Sequence, residues 1–127
     1  MADTPFFETT LTRARIEAMT ASGDWPNDLL LDRLNQRLAG REDQSLIVDR
    51  YGTMTWGAFA AEAERLARGL LAIGVRPGQV VQLQLPNRRE FPLAVVACER
   101  IGAVVNPVAP IFRHNEVSVM SELARPG

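Results

Sequence analysis

Hydrophobic positions along the chain recur at helical spacing in some stretches and at strand spacing in others, with glycine or proline at most junctions. Apolar residues three and four positions apart predict amphipathic helices, and alternating apolar residues predict strands. The predicted elements, in chain order, are a peripheral helix at Glu8–Thr20, a helix at Leu29–Leu38, a hairpin of Ser45–Asp49 with Thr53–Thr55, a long helix from Thr55 to Ile73, a strand at Gln79–Leu85, a helix at Leu93–Ile101, a strand at Ala103–Val105 and a last helix at Glu116–Leu123.

The stretch from Thr55 to Pro107 organises the predicted fold. At nearly every junction within it stands a residue that can begin or end a helix or strand, in most cases glycine or proline. Its strand, helix and strand follow one another within about 30 residues, the length of a βαβ unit. The strands of such a unit are parallel, and its crossover is right-handed. The sequence therefore predicts an α/β fold.

The long helix carries a start signal and one apolar face. Thr55 is predicted to cap it. Glu64 and Arg68 are four residues apart on the opposite face, where we expect a solvated ion pair. The residues expected to be buried are Phe59, Ala63, Leu66, Leu70 and Ile73.

Two other helix starts are less well defined by the sequence. Either Asn27 or Asp28 is predicted to cap the helix that follows them. For the helix after the predicted strand, Asn87 and Glu90 have the spacing of a capping box. Pro92 instead fits a helix that begins nearer Glu90, with the proline in its first turn. Both starts remain open.

Composition narrows the chemistry that the chain can supply. Its net charge of −1 argues against a nucleic-acid-binding surface. All 14 basic residues are arginines, so the chain has no Walker-type or Schiff-base lysine. The single cysteine, Cys98, excludes an internal disulfide, and the single histidine, His114, excludes a multi-histidine metal site.

The sequence contains no signal for membrane insertion or export. No apolar run approaches the roughly 20 residues that cross a bilayer. The N-terminus lacks the basic start and apolar block of a secretory signal. We therefore expect a cytoplasmic protein.

Candidate ligand-binding residues stand where predicted strands end. The segment Leu85–Arg89 follows a strand at its carboxyl end, where ligands bind in open α/β sheets. Arg88 and Arg89 either meet an anion there or are solvated side chains at a helix start. Arg113 and His114 present the same alternative at the start of the last helix. No residue pattern predicts a catalytic group or a metal site.

Several short motifs occur in a characteristic order. They are Thr55-Trp56, Gly74-Val75-Arg76-Pro77-Gly78, Leu85-Pro86-Asn87, Gly102-Ala103-Val104-Val105, Pro107 and Glu116. Together they resemble the N-terminal region of the adenylate-forming, or AMP-binding, superfamily, and within it the acyl-CoA synthetases. The resemblance covers about residues 28–124 and lies in the order and spacing of the motifs.

The resemblance implies that residues 28–127 are the N-terminal portion of a large AMP-binding domain, with an incomplete sheet and flanking helices. Residues 1–27 would be an N-terminal extension with a peripheral helix. Such acid–CoA ligases activate a fatty, aromatic or alicyclic acid as an acyl-adenylate with ATP and Mg²⁺, and then transfer it to CoA. Their phosphate loop, Tyr-Thr-Glu-type motif and C-terminal lysine do not occur here. We expect a piece that precedes the phosphate loop and is inactive alone.

One candidate site residue follows from the resemblance. Some CoA ligases have an arginine directly after the second proline of a Pro-x-Asn-Pro-Arg loop, and it contacts the CoA nucleotide phosphate. Here Pro107–Pro110 occupies that loop and Ile111 stands at the arginine position. Arg113, two residues on, is the candidate for the contact. An adenylation domain with another acceptor and a non-catalytic α/β interaction module are the alternative functions.

Overall fold

The computed structural model of the chain describes residues 11–26 and 28–126. Within these residues the helices are α1 (Arg13–Ala21), α2 (Leu30–Leu38), α3 (Trp56–Ala72), α4 (Glu90–Arg100) and α5 (His114–Ala124). The strands are β1 (Ser45–Asp49), β2 (Gly52–Thr55), β3 (Val80–Leu83) and β4 (Val104–Pro107). The predicted α/β fold class is confirmed.

The strands form two small sheets. β1 and β2 pair in antiparallel fashion, as the sequence predicts for a hairpin. β3 and β4 pair in parallel, from Val80 opposite Val104 to Leu83 opposite Pro107, with α4 between them in sequence. The predicted βαβ unit is therefore confirmed, although β3 is shorter than the predicted strand at Gln79–Leu85.

The start of α2 differs from the prediction. Leu29, in an extended conformation, is its N-cap, and the Leu29 backbone N–H donates to the Asp32 carboxylate at 3.0 Å. Asp28 instead forms an ion pair with Arg33, so the prediction that Asp28 caps this helix is wrong. The alternative cap, Asn27, lies outside the described residues, as do the first three residues of the predicted peripheral helix.

The starts of α3 and α4 agree with local signals. The Thr55 hydroxyl accepts a hydrogen bond from the Ala58 N–H at 3.2 Å, which confirms the predicted cap. α4 begins at Glu90 with Pro92 in its first turn, so the second of the two predicted starts is correct. Asn87 is not its cap. Proline is tolerated there because the first N–H groups of a helix have no partner within the helix.

The core lies where α3 packs against α4 and β4. It consists of two neighbouring clusters of buried side chains. One contains Ala67, Ala97, Cys98, Ile101 and Ala103, and the other contains Phe59, Ala63, Leu93 and Val96. Ala63 and Ala97 have no exposed surface, so the contact between the two helices is made largely by small side chains that allow close approach.

The buried face of α3 is narrower than predicted. Leu66 is 38% exposed and Ile73 is 79% exposed, so the prediction that both are buried is wrong. Ala67 is buried in their place. Glu64 does pair with Arg68, at 3.1 Å, but it also reaches Arg100 of α4 at 3.3 Å. This face of α3 therefore also contacts α4 through an ion pair.

Candidate functional site

The carboxyl ends of β3 and β4 meet at one edge of the parallel sheet. Leu83 lies opposite Pro107 at the last paired position. The Val108 N–H donates to the Leu83 carbonyl at 2.8 Å, which holds the two chains together beyond the strands. The loops that follow, residues 84–89 and 108–113, therefore lie side by side, as expected for a ligand-binding edge of an open α/β sheet.

A cleft of about 340 Å³ opens between these two loops. It is lined by Leu85, Asn87, Phe91, Pro107, Val108, Ala109 and Pro110, and we call it the apolar cleft. Val108 is 3% exposed and forms part of its fixed wall. Asn87 is the one lining residue with a polar side chain, so the cleft suits an apolar or flat group better than a charged one.

Gln84 holds the loop that follows β4. Its side-chain Nε2 donates to the Phe112 carbonyl at 2.9 Å and to the Ala109 carbonyl at 3.3 Å. Backbone carbonyls of a loop need such partners when no strand pairs with them. Gln84 therefore positions the segment that leads to Arg113.

Gln82 holds α5 against the sheet. Its Nε2 donates to the Ser121 hydroxyl at 3.0 Å, and its Oε1 accepts from Asn106 at 3.1 Å. Gln82 and Gln84 lie on one face of the strand predicted at Gln79–Leu85, and two glutamines on one face predict that this face is incompletely covered. This prediction is confirmed, because Gln82 is only half-buried although it contacts α5, and Gln84 is exposed.

Arg113 lies at the start of α5, on the exposed surface next to the apolar cleft. Its backbone N–H donates to the Glu116 carboxylate at 3.0 Å. Backbone N–H groups, first that of Glu116 itself and then that of Arg113, lower the pKa of Glu116. The Arg113 guanidinium has no hydrogen-bond or ion-pair partner among residues 11–26 and 28–126. Ile111 is 77% exposed, and it stands at the position of the arginine in the loop that the sequence resembles.

Arg89 has a structural partner that the sequence did not predict. Its Nε donates to Asp49 Oδ2 at 2.6 Å, a second guanidinium N–H donates to Asp49 Oδ1, and the same nitrogen reaches the Gly52 carbonyl at 3.0 Å. The hydrogen bond from Arg89 lowers the pKa of Asp49, with a smaller contribution from the Tyr51 N–H. The two side chains are 18% and 23% exposed. Neither predicted alternative, anion ligand or solvated side chain, holds for Arg89.

The positions of His114 and Cys98 give neither residue a chemical role. His114 is exposed in the first turn of α5, and Cys98 is fully buried, where burial raises the pKa of its thiol. In the part of the chain that the structure describes, no three potential metal ligands come together. No helix in that part is long and apolar enough to cross a membrane.

Residues 34–127 match a protein-family model described as AMP-binding enzyme. The chain belongs to this family. The resemblance to adenylate-forming enzymes is thereby confirmed, and it extends through the βαβ unit and both loops of the candidate site.

Three relatives illustrate the range of AMP-binding proteins that the chain is similar to. It is 33% identical to the medium-chain fatty-acid–CoA ligase of Escherichia coli over 85% of its own length and 19% of the ligase. It is 33% identical to the AMB antimetabolite synthetase AmbE of Pseudomonas aeruginosa over 76% of its length and 5% of the synthetase. The apo structure of MbtA from Mycobacterium smegmatis superposes with a TM-score of 0.83 and 31% identity, over 93% of this chain and 22% of MbtA.

The chain thus spans about a fifth, or less, of the length of the relatives it matches. Its fold is that of the N-terminal region of adenylate-forming enzymes. Two of these relatives are named as a ligase and a synthetase.

Proposed function

We propose that the chain is the N-terminal portion of the large domain of an ATP-dependent acid–CoA ligase. Residues 28–127 form that portion in this proposal, and residues 1–27 form an extension before it. The observation that carries the proposal is the match to the Escherichia coli CoA ligase along 85% of the chain. We further propose that this ligase acts in the cytoplasm.

The proposed reaction has two steps. The carboxylate of a fatty, aromatic or alicyclic acid attacks the α-phosphate of ATP, and pyrophosphate leaves. The thiol of CoA then displaces AMP from the acyl-adenylate. Negative charge on phosphate oxygens must be stabilised in the first step, which is the role of Mg²⁺ and cationic side chains.

In this reaction the chain supports the rest of the large domain and contributes a side chain that binds CoA. In this proposal, other parts of the complete ligase hold the Mg²⁺ ion. The exposed Arg113 guanidinium has no partner in the described part of the chain and follows Pro110 of the apolar cleft by three residues. A guanidinium donates in a fork that matches phosphate oxygens. We assign it to the nucleotide phosphate of CoA. The chain alone is expected to be inactive, because it contributes no catalytic group.

The test is ATP–pyrophosphate exchange by the complete protein, measured with a panel of fatty, aromatic and alicyclic acids. We expect one acid class to support exchange and CoA to accelerate the release of AMP. If no acid supports exchange, the ligase proposal fails.

A second candidate is an adenylation domain whose acceptor is not CoA. The similarity to the AmbE synthetase favours this reading, since that protein is not named as a CoA ligase. The same assay separates the two candidates. The second candidate is supported, and the first contradicted, if an acid supports exchange but CoA does not accelerate the release of AMP.

A further inference from the structure

A second cleft, of about 300 Å³, lies where the β1–β2 turn meets the loop before α4. It is lined by Asp49, Arg50, Tyr51, Asn87 and Arg88, and we call it the basic cleft. The proposed ligase reaction leaves this cleft without a role. Its volume is at the lower end of the range for small-molecule sites.

The one carboxylate in the wall of the basic cleft already has its partners. Asp49 accepts two hydrogen bonds from Arg89 and one from the Tyr51 N–H at 2.8 Å. The nearest other acid in sequence, exposed Glu90, interacts electrostatically with Arg89. Arg89 therefore takes both carboxylate oxygens of Asp49. Within residues 11–26 and 28–126 the other two arginines of the region form no ion pair, and the one at position 50 has only a weaker electrostatic attraction to Asp49.

Arg50 and Arg88 are those two arginines. The Arg50 guanidinium lies over the ring of Tyr51, 4.7 Å from its centroid, and donates to the uncharged Tyr51 hydroxyl. Stacking on an aromatic face restrains a guanidinium without neutralising it. Arg88 is exposed, and its side chain has no hydrogen-bond or ion-pair partner within residues 11–26 and 28–126. Two arginines that form no ion pair in the described part of the chain thus line one cleft.

We propose that the basic cleft binds a phosphate group, with Arg50 and Arg88 as its cationic donors and the Asn87 amide as a neutral one. Guanidinium groups present parallel N–H donors that match two phosphate oxygens, and such charge-assisted bonds are about twice as strong as neutral ones. Asn87 lines the apolar cleft as well, so the two clefts adjoin. A phosphate carried on a nucleotide could therefore place its base or another apolar part in the apolar cleft, whereas a free anion would occupy the basic cleft alone.

The experiment titrates the isotopically labelled chain with pyrophosphate, with AMP and with adenosine, and follows the Nε–Hε signals of arginine side chains by NMR. Pyrophosphate and AMP should shift the Arg50 and Arg88 signals in a saturable way, and adenosine should not. Replacing either residue (Arg50→Gln or Arg88→Gln) should weaken pyrophosphate binding about tenfold, the usual size of one hydrogen bond to a charged group. Arg88→Lys should weaken it less, because the charge stays while the fork is lost.

Arg37→Gln is the matched control, since Arg37 is also exposed, lies on α2 and does not line the cleft. The backbone spectrum of each variant verifies its fold, and Arg88→Gln removes no internal contact. The proposal is overturned if neither pyrophosphate nor AMP gives a saturable shift of these signals. It is also overturned if Arg37→Gln weakens pyrophosphate binding as much as Arg50→Gln and Arg88→Gln do.

Two positive outcomes identify the source of the phosphate. Tighter binding of AMP than of pyrophosphate assigns the cleft to a nucleotide phosphate, and the reverse order assigns it to a free anion. The measurement requires no acid substrate, no CoA and no turnover, so its result is independent of the ligase proposal.

Discussion

Arg89, directly before α4, binds the carboxylate of Asp49 at the end of β1, across 40 positions of sequence. The Arg89 guanidinium also reaches the Gly52 carbonyl at the start of β2. This contact joins the hairpin to the βαβ unit at the point where both clefts open. It therefore sets the position of the β1–β2 turn relative to the loop that carries Asn87 and Arg88.

We expect Asp49→Asn to lower the stability of the chain at neutral pH and to flatten its pH dependence in acid. The Arg89 hydrogen bond lowers the pKa of Asp49 in the folded chain. A carboxyl group whose pKa falls on folding adds stability that is complete above its unfolded pKa and is lost as pH falls through the folded pKa. The urea midpoint, measured from pH 7 downward, should therefore decrease below about pH 4, and less steeply in the variant.

Asp43→Asn is the control for this measurement, because Asp43 is exposed in the loop before β1. It should follow the pH profile of the unmodified chain. Identical acid profiles for Asp49→Asn and the unmodified chain would show that the Arg89 contact does not contribute to stability.

Ala97→Leu should destabilise the chain by about 1–3 kcal/mol, because added methylenes in a packed core force other side chains to move. Ala97 has no exposed surface and lies in the cluster that joins α3 and α4. Ala61→Leu makes the same chemical change on the exposed side of α3 and should alter the urea midpoint little. Equal effects of the two substitutions would contradict the close packing of these helices.

Alanine should have opposite effects at two glycines. Gly102 has φ of +69°, where a side chain is strained, so Gly102→Ala should cost about 1–2 kcal/mol. Gly69 lies within α3 with no atom within 4 Å of an added Cβ. Gly69→Ala should stabilise the chain by about 0.5–1 kcal/mol. Urea denaturation measures both effects, and a Gly102→Ala chain as stable as the unmodified one would contradict the backbone conformation.

In the complete ligase, Arg113→Ala should raise the KM for CoA about tenfold or more, the usual effect of losing one hydrogen bond to a charged group. The helix start should persist, because the Arg113 backbone N–H, not its side chain, binds Glu116. Acid-dependent ATP–pyrophosphate exchange should keep its rate, since CoA takes no part in that step. Arg125→Ala, at the exposed end of α5, is the matched control. An unchanged KM for CoA in Arg113→Ala would remove Arg113 from the CoA site.

Local signals in the sequence determined the order of elements and much of the fold. The apolar spacing of α3 and α4, the cap at Thr55 and the position of Pro92 each act within one or two turns of chain. A strand, a helix and a strand in close succession leave few arrangements besides a parallel pair. The parallel pairing of β3 with β4 was therefore predictable before any tertiary contact was known.

Tertiary packing decided which of the apolar residues of α3 are buried. Leucine and isoleucine carry the strongest hydrophobic signal, yet Leu66 and Ile73 are exposed, whereas Ala63 and Ala67 are buried. The reason is the close approach of α3 to α4, since small side chains let two helix backbones come near each other. A pattern within one helix does not show where its neighbour lies.

Tertiary packing also decided the candidate site. Arg88 and Arg89 are adjacent in sequence and alike in type, but Arg89 is held by Asp49 while Arg88 is left exposed beside Arg50. Charge interactions depend on distance in space. Arg89 and Asp49 are 40 positions apart in sequence, and they meet only because the hairpin packs against the start of α4.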